Sequence, residues 1–299
     1  MLRTRAITAA VLVPVVLGVI WIGEPWISIV VGVFAFLALV ELISLLDAAG
    51  HEPPQMLALF TGSAVTAAGL LVANQNGVGG QLGDLLRATE SVGLVVIVMV
   101  AAIVILGFAG FTRGDPRKGF MTWSVTTFGI AYVGILAPFM AVVAHLGPAG
   151  GSAASTIGPF SLRSGAAWAI LLVLVVWGYD TGAFLTGRWL GRTRLIDHIS
   201  PAKTVEGLAG GLVVATLGAG LGGWLVGLQP WHALIIGPLI GLSAQAGDLA
   251  ESMLKRAADR KESGFLIPGH GGVLDRIDSF LFAAPILAGY ALLVAGYVM

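Results

Sequence analysis

Cysteine is missing from all 299 residues of this chain. That excludes disulfides, thiol catalysis and Cys-ligated zinc or iron–sulfur sites. Charge is scarce as well. Asp, Glu, Lys and Arg make up 11% of the residues, under half of the roughly 25% usual in a soluble domain. The 16 basic and 16 acidic side chains cancel, so no overall polycation points to a nucleic-acid partner. Neither an internal repeat nor a stretch of soluble-domain composition is visible. What fills the chain is apolar: 57% hydrophobic residues, 43 glycines and a mean hydropathy of +0.93. That is the composition of an integral membrane protein.

About 20 apolar residues cross a bilayer as a helix. Nine such runs are present, at approximately 6–22, 27–46, 56–73, 92–111, 121–145, 165–187, 207–227, 231–250 and 279–298. None alternates as a barrel strand would, so the expected fold is an all-α polytopic membrane protein of about nine transmembrane helices. The start, M-L-R-T-R and an apolar run to about Ile22, looks like a signal peptide. It lacks a small-x-small cleavage site and is expected to stay as the first span.

Basic residues give the orientation. Nine spans put the N-terminus and the loops 47–55, 112–120, 188–206 and 251–278 on one side, with 14 of the 16 Lys and Arg. Only Arg87 and Arg163 fall on the other side. Cytoplasmic loops carry the positive excess. The N-terminus is therefore expected in the cytoplasm and the C-terminus outside. Trp21, Trp26, Trp123, Trp189 and Trp231 read as an interfacial belt. Gly207, Gly211, Gly218 and Gly222 have small-xxx-small spacing, which suits close helix packing or a dimer interface.

Composition divides the chain into residues 1–165, mainly scaffold, and 166–299, which carry the chemistry within one integrated membrane domain. The first part has little intramembrane charge beyond Glu41. From Asp180 onward, acids and bases gather at the expected cytoplasmic ends of spans six, eight and nine. Asp180 lies about seven residues inside span six, roughly 10 Å deep, where a carboxylate has to face protein, a cation or water. The segment S-P-A-K-T-V-E-G sets Ser200, Lys203, Thr204 and Glu206 close together. Arg188, Arg192 and Arg194 read as topology anchors. Asp248, Ser252 and Lys255 are spaced i, i+4, i+7, one helical face with Glu251 beside it.

The stretch Ser252–Asp278 is the most informative: nine charged side chains, a histidine and a glycine pair between two apolar runs. In P-G-H-G-G-V-L-D-R-I-D, the glycines let backbone amides approach an anion. His270 sits among them, and Asp275 and Asp278 share a face if a helix begins there. Hard oxygen ligands favour Mg²⁺, and Lys261 and Arg276 can neutralise phosphates. Carboxylates, Mg²⁺ and cations at a membrane boundary suit phosphoryl or nucleotidyl transfer between a lipid phosphate and a soluble nucleotide.

These residues resemble the phosphatidate cytidylyltransferases, also called CDP-diacylglycerol synthases. The family signature is met by Ser252, Leu254, Lys255, Arg256, Lys261, Gly264, Ile267, Pro268, His270, Gly271, Gly272, Val273, Asp275, Arg276, Ile277 and Asp278. Glu262 stands where the family has Asp. The segments Q-A-G-D-L-A-E-S and I-S-P-A-K-T-V-E-G also look like that family, whose match is strong over the C-terminal half. The resemblance implies transfer of the cytidylyl group of CTP to phosphatidate, giving CDP-diacylglycerol and pyrophosphate. It implies Mg²⁺, alone or with a second cation, held by Asp248 and Asp275 with Asp278 as a third candidate. Lys203, Lys255 and Arg276 would hold the triphosphate or the lipid phosphate. Ser200, Thr204 and Glu206 would line a polar pocket, and His270, Gly271 and Gly272 would shape the nucleotide loop. Asp180, Ser252, Arg256 and Lys261 complete the expected substrate site. A homodimer in a bacterial-type plasma membrane, with its site facing the cytoplasm, is also implied. Two alternatives are a CTP-dependent polyprenol or lipid kinase and an ion-coupled transporter using Glu41 and Asp180. A CDP-alcohol phosphotransferase lacks support, since no D-G-x2-A-R…D-x3-D pattern occurs.

Overall fold

The computed structural model describes residues 2–74, 92–148, 154–266 and 271–298. Arg87 and His270 lie outside the described residues, as do Ile267 and Pro268 of the signature. The helices are α1 (Leu2–Ile22), α2 (Trp26–Ala48), α3 (Gln55–Ala73), α4 (Val92–Phe111), α5 (Pro116–Gly134), α6 (Pro138–Ala144), α7 (Ser164–Leu190), α8 (Val205–Leu225), α9 (Ala233–Ala257) and α10 (Leu274–Leu293). Short antiparallel ribbons pair β1 (Gly147–Pro148) with β6 (Tyr297–Val298), β2 (Thr156–Ile157) with β3 (Leu162–Arg163), and β4 (Arg194–Ile196) with β5 (Ser200–Thr204). Among the described residues, eight helices are long and apolar enough to cross a membrane, and Ala10–Ile22 of α1 forms a shorter apolar helix. The chain is an all-α polytopic membrane protein.

All nine expected spans are helical, with two differences. The fifth breaks between α5 and α6, where Pro138 has no N–H to continue the ladder; a Cβ on Gly69 of α3 would meet the Pro138 ring at 2.6 Å. The ninth begins at Leu274 rather than 279 and ends at Leu293 rather than 298, with β6 in its last residues. Asp275, Arg276 and Asp278 are thus helical, and Asp275 and Asp278 lie on one face. Four of the expected belt tryptophans, Trp21, Trp26, Trp189 and Trp231, are exposed. Trp123 instead turns inward, its Nε1 donating to the Ile103 carbonyl at 2.9 Å.

Residues cluster into two compact units. One comprises Met1–Val11, Ser28–Ala141 and Leu254–Ile277. Its core gathers Ile43, Ala58, Val65, Ala102, Leu106 and Ile130. The other comprises Leu12–Ile27, Val142–Met253 and Asp278–Met299, and buries Trp168, Leu171, Tyr179, Ile236 and Ile240. In that unit α7 and α8 run antiparallel at close range. Added Cβ atoms would meet the Ala183 carbonyl oxygen from Gly207 (2.9 Å), Tyr179 from Gly211 (2.7 Å), the Leu174 carbonyl oxygen from Gly218 (3.0 Å) and Leu171 from Gly222 (2.8 Å). The small-residue stripe therefore packs against α7. Without a hydrophobic drive between helices in lipid, such close contact is what associates them.

A Cβ on Gly222 would come within 2.9 Å of the Leu171 Cα, so a larger residue there forces backbone movement. Gly222→Val is expected to cost about 1–3 kcal/mol. Thermal unfolding in detergent, with wild type alongside, measures it.

Candidate active site

Expected site residues fall in both units. In the second unit, the β4–β5 ribbon delivers Lys203. Thr204 is the N-cap of α8 and accepts from the Gly207 N–H at 3.0 Å. Glu206, in the first turn, accepts from the backbone N–H of Arg192 (3.1 Å) and Thr193 (3.2 Å). A carboxylate there suits the positive end of the helix, and it ties the ribbon's entry to its exit. Ser200 opens β5 opposite Ile196. The roles of Thr204 and Glu206 in this geometry are local and structural: they fix where Lys203 stands.

Lys203 Nζ lies 2.7 Å from Asp248 Oδ2 on α9, with the two side chains 18% and 35% exposed. Among the described residues the ammonium has no hydrogen-bond partner. This is a charge contact, and an ammonium carries more donors than one carboxylate oxygen can take. One turn on, Ser252 Oγ donates to Asp248 Oδ1 at 3.3 Å. Glu251 is wholly buried. Gly247 packs on the α10 backbone, where an added Cβ would overlap the Asp278 carbonyl oxygen. Asp278 is 8% exposed, and its Oδ1 accepts from the Ser279 N–H at 2.6 Å. Tyr179 donates to Gln245 Oε1 at 2.7 Å, one turn before Asp248. Asp180 is on an exposed face of α7, ten residues before the helix ends at Leu190.

In the first unit, Lys255 Nζ approaches Asp275 Oδ1 at 2.6 Å, with side chains only 12% and 9% exposed. Asp275 Oδ2 accepts from the Ser263 N–H (3.0 Å), the Gly272 N–H (2.9 Å) and lies 2.9 Å from Ser263 Oγ. Ser263 Oγ also lies 3.0 Å from Glu41 Oε2. Glu41 is 4% exposed and accepts from the Val273 N–H at 2.9 Å and the Leu274 N–H at 2.8 Å. Arg256, Lys261, Glu262 and Arg276 are exposed.

Several expectations change here. The glycine loop was read as offering its amides to an outside anion. Instead the Gly272 amide serves Asp275, and the next two serve Glu41. Gly271 has φ +77°, which only glycine adopts without strain. Sequence reasoning gave Glu41 a part only in the transporter alternative and missed Ser263. The available signal was the one carboxylate within the apolar runs of residues 1–165, which must find donors somewhere.

Mg²⁺ commonly takes one or two protein carboxylates and completes its shell with water and substrate phosphates. Among the described residues no group of three or more His, Cys, Asp or Glu could hold a metal, so a cage built by protein alone does not occur there. Asp248 and Asp275, one in each unit, each offer hard oxygens without soft ligands beside an ammonium, and Asp248 is partly open. Hard carboxylate oxygens of this kind suit Mg²⁺ rather than a soft metal.

The cytidylyltransferase family profile matches residues 3–294. A phosphatidate cytidylyltransferase of Synechocystis sp. is 46% identical over 138 residues, covering 46% of this chain and 47% of that protein. Its namesake in Bacillus subtilis is 47% identical over 116 residues, 38% of this chain and 43% of that protein. The chain thus aligns with less than half the length of these two relatives. A phosphatidate cytidylyltransferase of Staphylococcus aureus is 28% identical over 289 residues, 96% of this chain and 97% of that protein.

Removing one partner of a buried ion pair leaves an uncompensated charge. Lys255→Met is expected to destabilise the protein by about 3–5 kcal/mol. Adding Asp275→Asn to it should recover much of that loss. Thermal unfolding of the single and double variants in detergent reads both.

Proposed function

The chain belongs to the cytidylyltransferase family, and from that premise we propose that it transfers the cytidylyl group of CTP to phosphatidate, forming CDP-diacylglycerol and pyrophosphate for phospholipid synthesis. The observation that carries this reading is the Lys203–Asp248 contact, a largely buried ammonium with unfilled donors beside a partly open carboxylate. Such a pair can receive a polyphosphate and a divalent cation together.

A phosphatidate oxygen attacks the α-phosphorus of CTP, a new P–O bond forms, and the bond to pyrophosphate breaks. An ionised lipid phosphate is already nucleophilic, so no strong general base is required. The protein's part is positioning and charge neutralisation. Lys203 and Lys255 neutralise the phosphates, and exposed Arg276 meets one of them from the first turn of α10. Ser200, Ser252, Arg256, Lys261 and Asp180 would border the substrates, with the loop through His270, Gly271 and Gly272 beside the nucleotide. Mg²⁺, alone or with a second cation, would be held by Asp248 and Asp275, with Asp278 as a third candidate, and when bound supplies neutralisation of phosphate charge.

The reaction faces the cytoplasm of a bacterial-type plasma membrane, with the N-terminus and basic loops inside and the C-terminus outside. The positive-inside rule supports this orientation. The working form is a homodimer.

The experiment supplies CTP labelled at either the α- or the γ-phosphate, with phosphatidate in detergent. Label from the α-phosphate is expected in the lipid product and label from the γ-phosphate in pyrophosphate. Label from the γ-phosphate in the lipid, with the α-label left in CDP, makes the protein a CTP-dependent lipid kinase, and flux in proteoliposomes without lipid turnover makes it a transporter. Asp248→Asn and Asp275→Asn are each expected to lower kcat by at least about 100-fold; full rate in either removes that residue from the site.

A further inference from the structure

Glu41 sits in the middle of the scaffold half, on a helix with no other acid or base before Asp47. In a bilayer an unsatisfied carboxylate is expensive, yet this one is 4% exposed. Its oxygens are met by the Val273 N–H, the Leu274 N–H and Ser263 Oγ at 2.8–3.0 Å. Leu274 is the first residue of α10, so these are two of the donors that every helix start leaves open. Each of these donors offsets part of the cost of burying the carboxyl group.

The glycines around it are shaped to its carboxyl group. A Cβ on Gly264 would overlap Glu41 Oε1, and one on Gly272 would overlap both Glu41 Oε2 and Ser263 Oγ. One turn further along α2, Ser44 accepts from Arg260 Nη1 at 3.1 Å. The same face of α2 thus holds the segment between α9 and α10 at two points. Ser263 carries the hold onward: its N–H and Oγ meet Asp275 Oδ2, and its Oγ meets Glu41. A hydroxyl has one proton for these two acceptors, so Ser263 couples the two carboxylates through a single donor.

We infer that Glu41 is a positioning residue for the transfer reaction: it fills the Gly264–Gly272 nest, fixes the start of α10, and through Ser263 sets the orientation of Asp275. Two consequences follow. The α10 amides at Val273 and Leu274 are not a phosphate site, because a protein carboxylate already occupies them. Asp275 is left with Oδ1 facing Lys255 as its ligand-directed edge, since Oδ2 is held by the loop. The inference rests on the cytidylyl reading above for the reaction it serves, but not for the contact itself.

The test combines hydrogen exchange in detergent with steady-state rates for Glu41→Gln and Glu41→Asp. An amide side chain keeps one oxygen and turns an NH₂ toward donors. Glu41→Gln is therefore expected to speed exchange at Val273 and Leu274 by about 10-fold or more. A misplaced Asp275 should lower kcat by roughly 10- to 100-fold, with KM for CTP moving less than about threefold because binding groups are untouched. Glu41→Asp should recover part of kcat. Unchanged exchange in Glu41→Gln overturns the inference, as does faster exchange with undiminished kcat. A wild type that shows the exchange pattern but converts no CTP defeats the cytidylyl reading and leaves the contact standing. Should Glu41→Gln fail to assemble, Ser263→Ala cuts the link while keeping the amide contacts. It is expected to lower kcat about 10-fold with Val273 and Leu274 still protected, and full kcat there overturns the proposal.

Discussion

A carboxyl group buried inside a membrane protein persists only where donors are waiting for it, and here the donors come from a helix start. Glu41 on α2 accepts from Val273 and Leu274 and meets Ser263. The arrangement satisfies two needs at once. The acid gains partners in a medium with no water to offer, and α10 gains a cap for amides that would otherwise be buried without acceptors. Because the carboxyl group needs room, Gly264 and Gly272 cannot carry side chains.

The rest of the charged chemistry follows a common pattern. Each of Asp248 and Asp275 faces a lysine, but the two pairs differ in environment. Asp275 and Lys255 are nearly closed off, with exposures of 9% and 12%, and the loop holds the second oxygen of the acid. Asp248 is 35% exposed and its lysine retains donors. The first pair is nearly closed to solvent and the second is partly open. Around Lys203, Thr204 and Glu206 spend their side chains on the start of α8, so a precise ribbon rather than a precise lysine rotamer carries the positioning.

Much of this was legible in the chain. Apolar runs gave nine helices because length and composition are what a bilayer selects. Span ends were less legible: the ninth helix starts five residues before its apolar run, since a charged first turn is still helical when its amides find a carboxylate. The break before Pro138 could be read from proline's missing N–H, but it was passed over because the run stays apolar through it. Trp123 was legible as a belt residue by position, but its donation to the Ile103 carbonyl was not.

Sequence alone determined that the chain is a bundle of membrane helices, and which segments gather its acids and lysines, because hydropathy and motif spacing are local properties written residue by residue. Only tertiary structure decided what the glycine loop binds. An amide is the same donor whether it meets a phosphate or a glutamate, and Glu41 is 231 residues from Gly272. No spacing rule spans that distance; the fold alone brings the acid to the nest.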